Sequence, residues 1–300
     1  MFAVFDIGAT FVKYACMNQA NEILEMGKFR TPYNSLEELL DEMFRVINNY
    51  EKYQLKGISI CCPGTVDIAK GVVYFGGWLS YLHEVNLKEV FYQKYKVPVS
   101  VENDGKAAAL AEIWNGKKDS LKHAVVLVLG SAVGGGIIIN GKLHRGHTYS
   151  AGEVSFMIGD SHDEYGRYKR WGYDASASKM VEDVAVANNL DSKTDGEIVF
   201  QYITKDNKES WEIFSVFCRK IGRMIISLQH ILDPQKFIVC GGICAQPIVC
   251  ETILNEIKEI YRKNPEYTML PIIENSKLGS DANLHGALYH FFEEYEEIIR

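Results

Sequence analysis

A chain of 300 residues, 47% hydrophobic and 24% charged, has an ordinary soluble composition and room for two domains with substantial cores. Its formal net charge of −7 comes with no basic block, which argues against a nucleic-acid partner. No apolar run reaches the roughly 18 residues that span a bilayer, so no membrane is expected as a partner.

The opening MFAVFDIGAT has neither a basic n-region nor a long apolar segment and is expected not to be a signal peptide. The seven cysteines are odd in number and scattered, with no CxxC or CxC pair, which predicts reduced thiols, a cytoplasmic location and no zinc knuckle. Phe2–Phe5 reads as a short buried strand, residues 6–10 (DIGAT) as a turn and Phe11–Met17 as the returning strand. Asp6 reads equally as a turn cap or as a carboxylate that orients a hydrated Mg²⁺. Asn21–Arg30 looks like a third strand of the meander. Ser35 begins a helix, with Glu38 at capping-box spacing and an apolar stripe of Leu36, Leu39, Leu40, Met43, Phe44 and Ile47.

Leu55–Cys62 is a buried strand ending in Pro63-Gly64-Thr65-Val66-Asp67, read as a substrate loop or an ordinary turn. Gly71–Phe75 reads as a strand, Gly76-Gly77-Trp78 as a loop and Asn86–Tyr95 as a helix. Val99–Val101 is a short strand, followed by the polar triplet Glu102-Asn103-Asp104 and an Ala-rich helix, Gly105–Trp114. A polar triplet where a strand hands over to a helix is where open α/β sheets place ligand groups. Asp104 reads as an N-cap, which its position alone favours, or as a general base in a cleft, with Asn103 beside it to bond a polyhydroxyl substrate. The polar stretch Gly116–Lys122 marks a domain boundary.

Val125–Leu129 is a doubly buried strand, followed by a glycine-rich turn, residues 130–136 (GSAVGGG), and a second run, Ile137–Ile139. A tip without side chains offers a nest of backbone N–H groups to an anion, and Asn140-Gly141 predicts a type I′ hairpin turn. With the DIGAT turn it makes two strand–turn–strand units that can face one nucleotide. Glu153 follows a second tight turn, Ser150-Ala151-Gly152, and Asp160–Tyr173 reads as a loop. Helices are expected over Ala175–Asn188, Gly196–Lys205 and Ser210–Leu232. Then come a strand, Phe237–Val239, a glycine turn at Gly241-Gly242, a helix over Pro247–Tyr261, a strand over Met269–Glu274 and a final helix through Phe292.

In this order the pieces resemble the ROK family of bacterial sugar kinases and repressors over nearly the whole chain. DIGATFVK resembles its first phosphate motif, with Ala9 for a glycine, and VENDGKAAALAE its ENDxxxAAxxE segment. LGSAVGGGIIINGKLHRG resembles the second phosphate motif, SAGEVSFM its AGExGHM, FIVCGGI the adenosine segment and LGSDANLHGA its LGxxAxxxGA. The resemblance implies an α/β, actin-like (hexokinase and ribonuclease H-like) duplicated fold, two lobes around a nucleotide and sugar cleft. The N-terminal lobe would cover 1–116, with the last helix, about 284–300, packing back on it, and the C-terminal lobe 117–283.

By the same resemblance Asp104 is the catalytic carboxylate, and Gly64, Thr65, Asn103 and Glu153 are sugar-binding positions. Asp6, Gly8, Ala9, Thr10, Lys13, Gly130, Ser131 and Gly134–Gly136 would hold the phosphates of ATP, with Mg²⁺ near Asp6, and Gly241 and Gly242 would lie near the nucleoside. A homodimer is also implied, and with no helix-turn-helix expected before Phe2 the repressor branch is set aside.

Two departures shape the substrate expectation. Phe156 stands where the family often has a histidine, and YGRYKRWG (165–172) replaces its cysteine-containing zinc loop, so no zinc is expected. Gly172 falls where the family has a sugar-contacting glutamate, which predicts an apolar ring and an empty space at the anomeric end. The pocket would then admit a substituent there, with Phe156, Trp171 or Tyr173 available to lie against it. The expectation is a β-glucoside kinase acting on the 6-hydroxyl of the non-reducing glucose, as in cellobiose. The alternatives are a glucokinase or other hexose or N-acetylhexosamine kinase, and a catalytically inactive sugar sensor.

Overall fold

A computed structural model describes residues 1–115, 121–162 and 164–296. Residues 116–120, where the expected boundary begins, lie outside the described residues. In chain order the elements are β1 (Phe2–Ile7), β2 (Phe11–Met17), β3 (Ile23–Arg30), α1 (Leu36–Asn48), β4 (Gly57–Cys62), β5 (Thr65–Asp67), β6 (Val72–Tyr74), β7 (Val85–Asn86), α2 (Leu87–Tyr95), β8 (Val99–Asn103) and α3 (Asp104–Asn115). Then follow β9 (His123–Leu129), β10 (Val133–Ile139), β11 (Lys142–His144), β12 (Ile158–His162), β13 (Tyr168–Arg170), α4 (Trp171–Asp174), α5 (Ala177–Ala187), α6 (Gly196–Phe200), α7 (Lys208–Leu232), β14 (Lys236–Cys240), α8 (Pro247–Lys263), β15 (Ile273–Asn275) and α9 (Ala282–Glu294).

The chain forms two compact units: Met1–Ser120 with Lys142–Gly152 and Asp281–Arg300, and Leu121–Gly141 with Glu153–Ser280. In the first, the sheet order is β3-β2-β1-β4-β8. β1 pairs antiparallel with β2 and parallel with β4, and β4 parallel with β8. β1 is buried along its whole length because both faces are covered. Ala3, Phe5 and Ile7 meet Leu39, Met43 and Phe91 from α1 and α2, while Phe2 and Val4 meet Ala107, Leu284, Leu288 and Phe291 from α3 and α9. This is period-two alternation with both sides apolar, the pattern of an α/β sheet. Ser35 caps α1 as its spacing predicts, its hydroxyl accepting the Glu38 N–H at 3.3 Å.

In the second unit β10-β9-β14-β15 repeat the same pairing pattern: antiparallel, then parallel, then parallel. Val125, Leu127 and Leu129 of β9 and Phe237 and Val239 of β14 pack with Met180, Val184, Ile221, Ile225, Val249 and Ile253 from α5, α7 and α8. The duplicated topology is now explicit. Asn140 and Gly141 both take positive φ, +54° and +73°, as the hairpin signal requires.

The structure corrects several local expectations. Gly134, Gly135 and Gly136 are not part of a turn: they pair with Val128, Leu127 and Val126 in the β9–β10 ladder. The strong strand propensity of the flanking apolar runs draws the glycines into the sheet, and only Gly130, Ser131 and Ala132 remain between the strands. Asp6 likewise sits inside β1 rather than at the turn tip. The expected loop Asp160–Tyr173 contains β13, which pairs with β12, and the start of α4; strands this short and polar carry no readable alternation. Met269–Glu274 is strand only from Ile273, after Pro271, and α6 ends at Phe200 rather than Lys205.

Candidate active site

In the first unit, β1, β4 and β8 are parallel neighbours, and their carboxyl ends bring together residues from three separate stretches of sequence. Asp6 lies opposite Cys61, and Cys62 lies opposite Asn103. The Pro63-Gly64 turn follows β4, and Asp104 opens the helix that follows β8. Carboxyl ends of parallel strands are the ligand-binding edge of an open α/β sheet. Asp6, Gly64, Asn103 and Asp104 therefore share one edge, and Thr65 begins the short strand that leads away from it.

The helix cap is made by Asn103, not by Asp104. Asn103 Oδ1 accepts the Lys106 N–H at 3.0 Å, while its Nδ2 donates to Gly64 O at 2.9 Å and to Asp104 Oδ1 at 3.0 Å. Asp104 Oδ1 also accepts the Gly105 N–H at 2.8 Å. Asp104 is half-buried, whereas Asn103 is buried. Both amide hydrogens of Asn103 are committed inside the protein, so in this arrangement it orients Asp104 and has no donor to offer a sugar. The competing cap reading of Asp104 is thus taken over by its neighbour.

Glu102, seen in the sequence only as part of a polar triplet, is 1% exposed. Its Oε1 accepts the Asn103 N–H at 2.8 Å and its Oε2 accepts Arg145 Nε at 2.8 Å. A buried carboxylate with a guanidinium partner just before Asp104 was unreadable from spacing, because Arg145 is 43 positions away.

Asp6 gathers a second set of partners that sequence reasoning missed. Asn283 Nδ2 donates to Asp6 Oδ1 at 3.2 Å, and Cys61 Sγ lies 3.4 Å from the same oxygen. Burial pushes the Asp6 carboxyl above its ordinary value, opposed by the Asn283 hydrogen bond and the Lys13 charge. Lys13, the cross-strand neighbour of Asp6, lies 3.4 Å from Asp281. Burial also pushes the Cys61 and Cys62 thiols well up, and the Asp6 and Asp104 charges add to this. Neither thiol is set up as a nucleophile. The turn after β1 is closed by Gly8 N–H to Phe11 O at 3.1 Å and by Thr31, whose hydroxyl donates to Gly8 O and whose N–H donates to Thr10 O. Ala9 and exposed Thr10 lie on that turn.

The Mg²⁺ implied by the sequence fits this edge through a single hard carboxylate. Both protein donors converge on Asp6 Oδ1, so these two contacts do not use the other carboxylate oxygen, and a single carboxylate oxygen is a donor that a hydrated Mg²⁺ accepts. Among the described residues, no group of three or more His, Cys, Asp or Glu side chains converges on a point.

In the second unit, Gly130 and Gly241 stand at the carboxyl ends of the parallel neighbours β9 and β14. Gly130 O accepts the Ala177 N–H at 2.9 Å, so the start of α5 is tied to this turn, and Ser131 Oγ lies 3.4 Å from Ser178 Oγ. Gly242 begins a short 3₁₀ turn before α8. Of the expected phosphate and nucleoside glycines in this unit, Gly130, Gly241 and Gly242 thus stand at one edge of the sheet, and Gly134–Gly136 lie in the ladder. Glu153 precedes a 3₁₀ turn, Val154–Phe156, and is half-buried.

Phe156 is exposed, with the Arg170 guanidinium 5.0 Å from its ring centre and 5.9 Å from that of Tyr173. Gly172 is not beside an empty space. A Cβ there would lie 2.4 Å from Ser155 Oγ and 2.7 Å from Ser155 Cα, so the backbone of α4 packs directly on Ser155, whose hydroxyl donates to Val133 O at 2.6 Å. This overturns the expectation of open room at Gly172, because the missing side chain is replaced by close packing.

Comparisons with known proteins give the family. The family model described as "ROK family" matches residues 2–294, and the chain belongs to that family. It is 26% identical to a β-glucoside kinase of Klebsiella pneumoniae over 297 residues, covering 98% of this chain and 96% of that protein. Its fold matches a ROK family protein from Streptococcus pneumoniae in complex with sucrose, with a TM-score of 0.84, 28% identity and 99% of each chain covered. It also matches a ROK family glucokinase from Streptomyces griseus in complex with glucose and AMPPNP, with a TM-score of 0.81, 25% identity and 95% and 97% coverage. The fold is the mixed α/β, actin-like fold of these sugar kinases, and the chain is an enzyme of that kind. Among the described residues no helix is long and apolar enough to cross a membrane.

Proposed function

We propose that the chain transfers the γ-phosphoryl group of ATP to the 6-hydroxyl of the non-reducing glucose of a β-glucoside such as cellobiose. The observation that carries the choice of sugar is Phe156: an exposed ring backed by Arg170 stands where the family resemblance expects an imidazole. A site that hydrogen-bonds a hydroxyl rejects ligands lacking it, because its own polar groups are then left unpaired. An apolar ring makes no such demand on the anomeric hydroxyl and offers a face to a sugar or aryl substituent. The Gly172 backbone, packed on Ser155, likewise supplies no carboxylate at that end.

Asp104 takes the proton of the 6-hydroxyl as that oxygen bonds to the γ-phosphorus and the bond to the β-phosphate oxygen breaks, giving ADP. The step needs positioning more than a strong base, and Asn103 provides it by holding Oδ1 of Asp104 and the Gly64 carbonyl together. Gly64, Thr65 and Glu153 are proposed on the sugar side. The turns at Gly8–Thr10 and Gly130–Ser131 are proposed on the phosphate side, and Gly241 and Gly242 near the nucleoside. Mg²⁺, entering with ATP near Asp6, would neutralise phosphate charge.

The test is kcat/KM, by coupled ADP release, for cellobiose, an aryl β-glucoside, glucose, fructose, N-acetylglucosamine and N-acetylmannosamine. A β-glucoside is expected to lead. A free hexose or N-acetyl sugar ahead of every β-glucoside overturns the substrate assignment, and binding of sugar with no turnover on any of them overturns catalysis.

A further inference from the structure

The carboxylate of Asp6 is held by a residue 277 positions away. Asn283, the second residue of α9, donates from Nδ2 to Asp6 Oδ1 at 3.2 Å, and its carbonyl lies 3.7 Å from Cys61 Sγ, which itself reaches Asp6 Oδ1 at 3.4 Å. The same turn of chain ends the reach of Lys13, whose Nζ lies 3.4 Å from Asp281. α9 is rigidly seated in the first unit. Ala287 O accepts the Ser59 hydroxyl at 2.6 Å, and Leu284, Leu288 and Phe291 are fully buried. The amide of Asn283 is therefore presented by a fixed helix to a 9% exposed carboxylate.

We propose that Asn283 is a positioning residue for the metal–phosphate side of the reaction. A lone buried carboxylate can rotate about χ2 and present either oxygen. An amide donor on one side removes that freedom. With Asn283 and Cys61 both on Oδ1, Oδ2 becomes the oxygen turned toward the hydrated cation and the nucleotide phosphates. The thiol is a weak donor, so the amide provides most of the orientation. Asp281, by drawing Lys13 to the start of α9, keeps a positive charge beside Asp6. The inference rests on the proposed phosphate-side role of Asp6 and is independent of which sugar is phosphorylated.

The test compares the full-length wild type with Asn283→Ala, Asn283→Asp and Asn283→Ser. Each is assayed for nucleotide affinity by titration calorimetry with and without Mg²⁺, KM for MgATP, KM for the sugar, and melting temperature. Removing a hydrogen bond to a charged group is worth roughly ten- to a hundredfold. Asn283→Ala is expected to weaken MgATP by about that factor, to change metal-free ATP and sugar KM little, and to melt near the wild type. Asn283→Ser, which keeps a short donor, should recover part of the affinity, and Asn283→Asp, which sets a second carboxylate against Asp6, should lose the most. Unchanged MgATP affinity in a folded Asn283→Ala protein overturns the proposal, as does an equal loss for metal-free ATP or for sugar. Failure of the wild type itself to bind MgATP would instead overturn the phosphate-side reading of Asp6.

Discussion

Asn103 and Asp104 divide one helix start between them. Asn103 Oδ1 caps α3 on the Lys106 N–H at 3.0 Å, and its Nδ2 sits 3.0 Å from Asp104 Oδ1. The residue that stabilises the helix is thus the one that aims the carboxylate, and the carboxylate occupies the first helical position, where the positive end of the helix dipole favours charge. Asp104→Ala is expected to cut turnover by roughly 10²–10⁴-fold, the loss typical of an acid/base group, with sugar affinity less affected. Asn103→Ala is expected to cost about 1 kcal/mol of stability through the lost cap and to lower kcat as well. Steady-state kinetics with parallel melts separate the two effects. A near wild-type rate for Asp104→Ala would leave that residue without a catalytic role.

Glu102 and Arg145 form the ion pair directly behind this element, with the carboxylate 1% and the guanidinium 20% exposed. Arg145→Met would leave a buried charge without its partner. The expected destabilisation is on the order of 3 kcal/mol. Glu102→Gln with Arg145→Met should recover much of it, because no uncompensated charge remains. Urea denaturation of the two single variants and the double variant measures the coupling, and strict additivity would show the pair to be energetically inert.

His290 lies beside that pair, buried, with Nδ1 3.4 Å from an Arg145 nitrogen. Burial lowers its pKa; Glu102 and Glu294 oppose the shift, while Arg145 and Lys88 favour it. The native state therefore keeps the ring neutral at a pH where the unfolded chain, titrating near about 6.5, takes up a proton. Below that pH the unfolded state binds more protons, so this group's contribution to stability is lost as pH falls from about 6.5 toward the lowered native value, and is flat above it. A His290→Gln variant should show a shallower fall in melting temperature between about pH 6.5 and 5 than the wild type. Parallel curves would remove His290 as a source of the acid sensitivity.

Gly286 is where α9 crosses α3: a Cβ there would lie 1.6 Å from Ala107 O. Gly286→Ala must push the helices apart, and overpacking of this kind costs about 1–3 kcal/mol or more. Because α3 begins at Asp104 and α9 carries Asn283, the rate should fall together with the melting temperature. An alanine variant that melts and turns over like the wild type would show that the two helices can separate without cost.

Local chemistry made much of this protein readable from the chain alone. The β1–β2 hairpin, the Ser35 cap, the helical stripe of α1 and the Asn140-Gly141 turn follow from short-range rules of φ preference, capping and periodicity, and the ordered motifs are sufficient to point to the family. Those rules stop where the outcome depends on a partner far along the chain. The glycines at 134–136 look like a turn until β9 pairs with them, because a glycine's own preference is too weak to resist a ladder. Gly172 looks like vacant space until Ser155 is packed against it. The allocation of cap and carboxylate between Asn103 and Asp104 depends on Gly64, and the orientation of Asp6 depends on Asn283. Composition and periodicity dictate most of the strands and helices; only the close-packed tertiary structure decides which oxygen of a buried carboxylate is bonded from within, since for Asp6 that is set by a residue 277 positions away brought within hydrogen-bond reach.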